Sequence, residues 1–275
     1  MTVAEALRGA GIDAREARLL LAAAAQLPEA RIAAHPERPL EAPVRARFED
    51  WALRRRAGEP IAYLIGWREF YGLRLAVTPA VLIPRPETEL LVECALQALP
   101  RRGTPRVLDL GTGSGAVALA IKHARGAAQV VGVEASAAAL AVACGNAARL
   151  GLEVDWRRGE WFAAAAGERF DLIVSNPPYV AQGDPHLSQG DLRYEPREAL
   201  VAGADGLDAI RCVARGLAEH LRSGGWAFVE HGFDQAEAVR ACLNQAGLTR
   251  VETWRDLAGH PRVSGGCAGT PGEAR

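Results

Sequence analysis

The sequence predicts a doubly wound, mostly parallel α/β sheet, a small all-helical N-terminal domain, and a β-hairpin joining the two. Three observations support this. From Arg106 onward, apolar runs of strand length alternate with longer runs of helical period, the pattern of strands buried on both faces and linked by crossover helices. Before residue 66, helix-capping patterns recur with no strand-like alternation between them. Between Trp67 and Val77 the apolar period switches to two around a central Gly72, which marks a hairpin. The expected division is a helical part over 1–66, a hairpin and linker over 67–86, and the α/β part over 87–275.

Taken in order, Thr2 with Glu5 and Asp13 with Glu16 form capping-box patterns, predicting helices over 3–10 and 14–26. Pro28 and Pro36 read as punctuation. A longer helix is expected from Pro43, which suits a first helical position, with Val44, Phe48 and Trp51 on one face and Gly58 at its end. Arg54, Arg55 and Arg56 in its last turn read as a solvated face, with partner docking as the open alternative. After the hairpin, Leu82-Ile83-Pro84-Arg85-Pro86-Glu87-Thr88-Glu89 reads as a stiff extended segment, either a rigid linker or one lip of a pocket, followed by a helix to Leu99. Then come strand 106–110, helix 116–124, strand 129–133, helix 137–150, strands 154–157 and 170–175, helix 207–221, strand 226–230, helix 235–246 and strand 249–254. The tail from Gly265 to Arg275 shows no periodicity.

With 275 residues and 49% hydrophobic content the chain can bury a substantial core. No apolar run reaches the roughly 20 residues that span a bilayer, and no signal-peptide core opens the chain, so a cytoplasmic protein is expected. The five cysteines are widely spaced without a C-x-x-C pair and read as reduced core residues. No histidines show ligand spacing, and no metal site is expected. The net charge is −1, without a basic block able to neutralise many phosphates, which makes duplex nucleic acid a poor partner.

Two motifs carry chemistry. Asp109-Leu110-Gly111-Thr112-Gly113-Ser114-Gly115 closes the first sheet strand and opens a helix, where missing Cβ atoms let a ligand approach the backbone. Glu134 ends the next strand, the usual place for an acid that accepts from ribose hydroxyls. Together they suggest an adenosine-bearing cofactor without saying which, and a ligand-free tight turn is the plainer alternative. Ser175-Asn176-Pro177-Pro178-Tyr179 follows the strand over 170–175 and forbids it to continue, because two prolines supply no N–H. The Asn176 amide and the carbonyls of Asn176 and Pro177 are thereby freed as acceptors for an NH2 group, and Tyr179 adds a flat ring. A proline-ended strand with a capping Asn is the competing reading. The polar stretch from Val180 to Ala204 either lines a substrate site, through residues such as Asp184, His186, Asp191, Arg193, Tyr194, Glu195 and Pro196, or hydrates a surface flap.

These blocks, with Gly58 to Gly66, Glu69-Phe70-Tyr71-Gly72, Ile83 to Glu89, Tyr194-Glu195-Pro196 and Glu230-His231-Gly232, resemble the HemK/PrmC type of peptide chain release factor glutamine methyltransferases. The resemblance implies a Rossmann-like methyltransferase fold and S-adenosyl-L-methionine as cofactor. The implied reaction is direct in-line methylation of the side-chain amide nitrogen of the glutamine in the Gly-Gly-Gln motif of class-one release factors. The change from helical to alternating pattern near Trp67 leads to the expectation that residues 1–66 dock substrate; no direct duplex nucleic acid partner, no membrane partner and a monomeric state are also expected. By position, Gly111, Thr112, Gly113, Ser114, Gly115 and Glu134 would hold the methionine and ribose portions of the cofactor, and Trp161 would lie near its adenine. Asn176 would straddle cofactor and substrate, with Pro177, Pro178 and Tyr179 completing the glutamine pocket; Asn176, Pro177 and Tyr179 are the catalytic candidates. The family more often has Asp where this chain has Glu134. The rival readings are a nicotinamide dehydrogenase, which leaves Asn-Pro-Pro-Tyr unexplained, a nucleic-acid amine methyltransferase, which wants a basic groove, and a non-catalytic module on the translation apparatus.

Overall fold

The structure, a computed structural model, describes residues 1–100 and 102–269. The described chain forms two compact units, one of Met1–Trp67 with Pro185–Tyr194, the other of Arg68–Asp184 with the chain from Glu195 onward. A segment of the polar stretch thus belongs with the N-terminal helices.

In the first unit the helices are α1 (Val3–Gly9), α2 (Ala14–Ala25), α3 (Glu29–Ala34), α4 (Ala42–Arg56) and α5 (Ile61–Ile65). The capping box at Thr2 is complete: its hydroxyl accepts from the Glu5 N–H, and Glu5 accepts from the Thr2 N–H at 2.8 Å. Asp13 caps α2 by accepting from the N–H groups of Arg15 and Glu16. Helices α3 and α5 were not expected. Each begins directly after a proline, Pro28 and Pro60, whose fixed φ starts a helix as readily as it interrupts one. Leu20, Leu21 and Phe48 are fully enclosed, with Val44 and Trp51 packed against them. The arginine triplet stands at the surface, and its guanidinium groups also have partners within the unit. Arg55 pairs with Glu16 at 2.7 Å and Asp191 at 2.9 Å, and Arg56 donates to the Ala10 carbonyl at 2.7 Å. Arg54 and Arg56 are exposed and Arg55 is half-buried, with the Arg55 and Arg56 guanidinium groups bonded to neighbouring segments.

The hairpin is β1 (Trp67–Phe70) and β2 (Leu73–Ala76), joined by Tyr71 and Gly72, both at positive φ, as a two-residue hairpin turn requires. Phe70, Leu73 and Leu75 enter a core shared with α6 (Glu89–Ala98). There follow β3 (Arg106–Leu110), α7 (Ala116–Ala124), β4 (Gln129–Glu134), α8 (Ala137–Leu150), β5 (Asp155–Arg158), β6 (Phe170–Ser175), α9 (Asp208–His220), β7 (Leu221–Glu230), α10 (Ala236–Gln245), β8 (Leu248–Arg255) and β9 (Pro261–Ala268). Among the described residues these strands form a seven-stranded sheet in the order β5-β4-β3-β6-β7-β9-β8. Its pairs are parallel from β5 to β7 and antiparallel at β7–β9 and β8–β9.

Strand β9 corrects the reading of 265–275 as an aperiodic tail. Gly265 and Gly266 lie inside the strand because there is no room for a side chain: a Cβ on Gly265 would stand 2.3 Å from a Phe228 ring carbon and 2.6 Å from the Ala227 carbonyl oxygen. Thr270 to Arg275 lie outside the described residues.

The order places a topological switch between β3 and β6. From β3 the chain winds outward through β4 and β5, then returns to pair β6 on the opposite side of β3. Such crevices, at the carboxyl ends of the strands, are where doubly wound sheets bind ligands. Leu110 is in register with Ser175, so the glycine loop after β3 and the proline pair after β6 leave the sheet side by side.

Candidate active site

The loop after β3 is bent by three glycines at positive φ, +70° at Gly111, +57° at Gly113 and +82° at Gly115. Its amides are directed at the neighbouring strand end: Gly111 and Thr112 donate to the Val133 carbonyl at 2.9 and 3.0 Å, and Gly113 donates to Glu134 Oε2 at 2.9 Å. Glu134 Oε1 accepts from the Ser136 N–H at 2.9 Å. Both carboxylate oxygens are thus anchored to backbone, which fixes the longer side chain that stands where Asp is more usual, and each keeps lone pairs for further donors. Beneath the loop Asp109 is buried, accepting from the Thr112 hydroxyl at 2.5 Å and the Ala118 N–H at 3.2 Å. Burial pushes its pKa up to about 6 against these two bonds.

A cavity of about 330 Å³ opens over the loop, within the size range of small-molecule sites. Gly111, Thr112, Gly113, Ser114, Glu134 and Trp161 are on its wall, as are Asn176 and Pro178. Gly115 is not. A Cβ there would meet the Trp156 ring at 2.9 Å and Leu119 at 3.1 Å, so this glycine lets the turn pack against α7 and β5. The Thr112 hydroxyl is spent on Asp109, leaving its backbone to face the cavity. Trp161 is held at φ 46°, a conformation that bulky residues rarely adopt, with its ring 3.9 Å from the Cβ position of Gly111. An open glycine wall, an anchored carboxylate and an indole suit a ligand with a sugar diol and a flat base, so these residues fit S-adenosylmethionine.

Asn176 stands at the cavity edge. Its Nδ2 donates to the buried Thr88 hydroxyl at 3.2 Å, and its Oδ1 has no hydrogen-bond partner among the described residues. Pro177 is buried. Tyr179 does not join the cavity wall. Its ring packs on the core formed with α9 and β7, its hydroxyl donates to Glu230 Oε1 at 3.3 Å, and its carbonyl accepts from Gln235 at 3.0 Å. Burial raises the phenol pKa, and Glu230 adds to the rise.

Three features escaped sequence reading. Arg85 Nη2 reaches both oxygens of Glu195 at 2.7 Å, and the Glu195 side chain is wholly enclosed. This pair joins the proline-flanked segment to the returning limb of the polar stretch, and both contribute to the wall, through Pro84 and Thr88 on one side and Pro196 and Glu198 on the other. Those residues line the cavity, so the segment forms a lip of it rather than a linker alone, and the returning limb contributes to the same wall. Opposite charges in two proline-bracketed motifs were the available signal. Asn146, fully buried in α8, ties β2 to the loop, accepting from the Ala76 N–H at 2.7 Å and donating to the Ser114 carbonyl at 2.8 Å. Nothing in its helical sequence marked it. Glu230, buried at the end of β7, was noted only as part of a motif. Among the described residues no group of His, Cys, Asp or Glu is placed to hold a metal ion, and no helix is long and apolar enough to cross a membrane.

Residues 2–66 match the PrmC N-terminal domain and residues 86–192 the Methyltransferase small domain. A release factor glutamine methyltransferase of Bordetella pertussis is 53% identical over 93% of this chain and 95% of its own length, and one of Xylella fastidiosa is 52% identical over 94% of each. In fold, a methyltransferase from Pyrococcus furiosus superposes with a TM-score of 0.55 at 18% identity, covering 80% of this chain and 98% of that one. The chain is therefore an S-adenosylmethionine-dependent methyltransferase and belongs to the release factor glutamine methyltransferase family.

Proposed function

We propose that this enzyme methylates the side-chain amide nitrogen of the glutamine in the Gly-Gly-Gln motif of class-one peptide chain release factors, by direct in-line transfer. One observation carries the reading: beside a cavity fitted to the cofactor, Asn176 turns its Nδ2 into the protein onto Thr88 and keeps Oδ1 without a partner among the described residues. An amide nitrogen is a poor nucleophile because its lone pair is delocalised into the carbonyl. Asn176 Oδ1 and the Pro177 carbonyl accept its two N–H bonds, which fixes the NH2 group and points the nitrogen into the cavity. Because Pro177 and Pro178 cannot donate to a neighbouring strand, these acceptors remain available to substrate. Tyr179, pinned at its hydroxyl by Glu230, sets the path of the chain that carries them.

When bound, S-adenosylmethionine supplies an electrophilic methyl group. Glu134 and the loop from Gly111 to Ser114 would hold its ribose and methionine portions, and Trp161 would lie near its base. No general base is needed, since the alkylated nitrogen is acidic enough to release a proton to water. Most of the rate enhancement is alignment, for which roughly 7–11 kcal/mol is available in well-oriented systems. Residues 1–66 supply docking surface for the release factor, and the enzyme works as a monomer without nucleic acid.

Incubation with S-adenosylmethionine and a release factor, followed by mass spectrometry of the Gly-Gly-Gln peptide, should show one added methyl group on glutamine. Calorimetry on the same protein should show binding of S-adenosylmethionine and none of NAD. An unmodified peptide, or equal affinity for NAD, overturns the proposal.

A further inference from the structure

The segment that carries the two proposed acceptors has one loose joint. Proline fixes φ at Pro177 and Pro178, and a residue before a proline is confined to extended ψ, which restrains Asn176 and Pro177 as well. From Asn176 to Pro178 the backbone is therefore a short stiff rod, whose direction is set where its ends are tied. The first end is tied by the Asn176 bond to Thr88. At the second, the torsions between Pro178 and Tyr179 are not restrained by a proline ring. The Tyr179 hydroxyl bond to Glu230 holds the ring, but rotatable bonds separate that ring from the backbone.

Gln235 ties the backbone itself. Its Nε2 donates to the Tyr179 carbonyl at 3.0 Å, with longer approaches to the carbonyls of Asp205 at 3.4 Å and Gly206 at 3.5 Å. Its Oε1 accepts from the Gly232 N–H at 2.9 Å. Gly232 is held in turn, because its carbonyl accepts from the Gln235 N–H at 3.0 Å and lies 2.8 Å from His231 Nδ1. The two ends of a glutamine amide are nearly isosteric but opposite in hydrogen bonding. Here only carbonyls face Nε2 and an N–H faces Oε1, so the amide has one orientation. Gly206 leaves room for the contact: a Cβ there would stand 2.3 Å from the Tyr179 carbonyl oxygen and 2.8 Å from Gln235 Nε2.

We propose that Gln235 is a positioning residue for methyl transfer: by holding the Tyr179 carbonyl it fixes the far end of the proline rod, and so aims the Pro177 carbonyl and Asn176 Oδ1 at the substrate NH2. This inference rests on the function proposed above and adds what orients its acceptors. Neither Gln235 nor Tyr179 is on the cavity wall, so the residue acts on substrate geometry and leaves the cofactor alone. Sheet register makes the contact, since Ser175 pairs with Val229 and the loops after β6 and β7 leave the sheet side by side. Past Tyr179 the chain is held by backbone, with the Val180 N–H donating to the Leu200 carbonyl at 2.8 Å and the Val180 carbonyl accepting from the Ala202 N–H at 3.0 Å.

The test compares the parent with Gln235→Met and Gln235→Glu. Methionine keeps the length of the side chain without its hydrogen bonds. Glutamate keeps the shape and the bond from Gly232 but turns a carboxylate oxygen toward the Tyr179 carbonyl, which repels it. Small misplacement of reacting groups costs rate steeply, so kcat on release factor should fall about 10-fold or more in Gln235→Met and further in Gln235→Glu. A side chain that only filled space would give the reverse order. The Kd for S-adenosylmethionine should stay within about 2-fold in both. Without any substrate, hydrogen exchange at the Val180 amide should quicken in Gln235→Met by on the order of 10-fold, the equivalent of one hydrogen bond lost, while Ile173 inside β6 keeps its parent rate. Parent-like kcat in Gln235→Met, a Gln235→Glu variant faster than Gln235→Met, or unchanged exchange at Val180 overturns the positioning role while glutamine methylation stands. Equal losses of kcat and cofactor affinity, with Ile173 exchanging faster as well, mean a loosened fold and overturn it too. A parent that binds S-adenosylmethionine but leaves the release factor unmodified overturns the proposed function, and the Val180 exchange then decides whether Gln235 holds the segment.

Discussion

Asn176 illustrates how neighbours decide which end of a side chain is left open. As the residue after a strand it could cap its own backbone; instead its amide nitrogen is drawn to Thr88, and two prolines keep adjacent N–H groups from competing for its oxygen. Removing that oxygen in Asn176→Ala should slow single-turnover methylation by about 10²-fold or more, the usual loss for one preorganised polar partner. Asn176→Asp is the sharper comparison, since it keeps an acceptor but places negative charge beside the cationic donor. A carboxylate stabilises the sulfonium before transfer more than in the transition state, so kcat should fall by more than cofactor affinity changes, read by stopped-flow and calorimetry. Parent-like rates in both variants would reduce Asn176 to a strand cap. Trp161 belongs to the same scale. Its left-handed backbone stores strain of about 1–3 kcal/mol, and the position so held is on the wall of the cavity.

Among the elements, β9 shows most clearly that glycine can mark close packing as well as a turn. It fills the gap between β7 and β8 and places Val263 beside Glu230 and Ser264 beside Val229. Ser264 in turn accepts or donates at 2.8 Å to the buried His231 ring. Without β9, the strand that carries Glu230 would have a bare edge next to the site. Gly265→Ala pushes a methyl group into the Phe228 ring and into a backbone carbonyl that cannot rotate away. Overpacking of this kind costs about 1–3 kcal/mol, which should lower the urea midpoint while leaving cofactor affinity in the folded fraction near the parent value. An unchanged midpoint would mean that β7 and β9 part more easily than their register implies.

For the whole molecule, the cavity belongs to one of the two units. The α/β unit holds every residue named on the cavity wall, whereas residues 185–194 pack with the helices: the Tyr194 hydroxyl donates to the Ala57 carbonyl at 2.8 Å, and Asp191 pairs with Arg55. A chain beginning at Arg68 should therefore bind S-adenosylmethionine with near-parent affinity yet methylate intact release factor poorly. It loses both the proposed docking surface and the partners of that segment. Full turnover of intact release factor by the shortened chain would remove the docking role.

The sequence alone determined what local rules can carry. The capping box at Thr2 and the N-cap at Asp13, the hairpin at Tyr71-Gly72, the alternation of strands and helices, and the placement of Gly111, Gly113, Glu134 and Asn176 at strand ends all follow from spacing and backbone preference within a few residues. Beyond those rules, the link from this constellation to S-adenosylmethionine came from resemblance to a family. Tertiary structure alone decided what depends on partners distant in the chain. The antiparallel edge at β9 could not be read because its glycines answer to Phe228 and Ala227, and Asn146 gave no sign because its bonds run to Ala76 and Ser114. Gly115 and Gly111 look alike in the sequence, yet one packs on Trp156 and the other faces the cavity. Tyr179 and Glu230 meet only because β6 and β7 lie in parallel register. Hydrogen bonds and steric limits between segments are set by where the sheet brings them, and no local pattern encodes that.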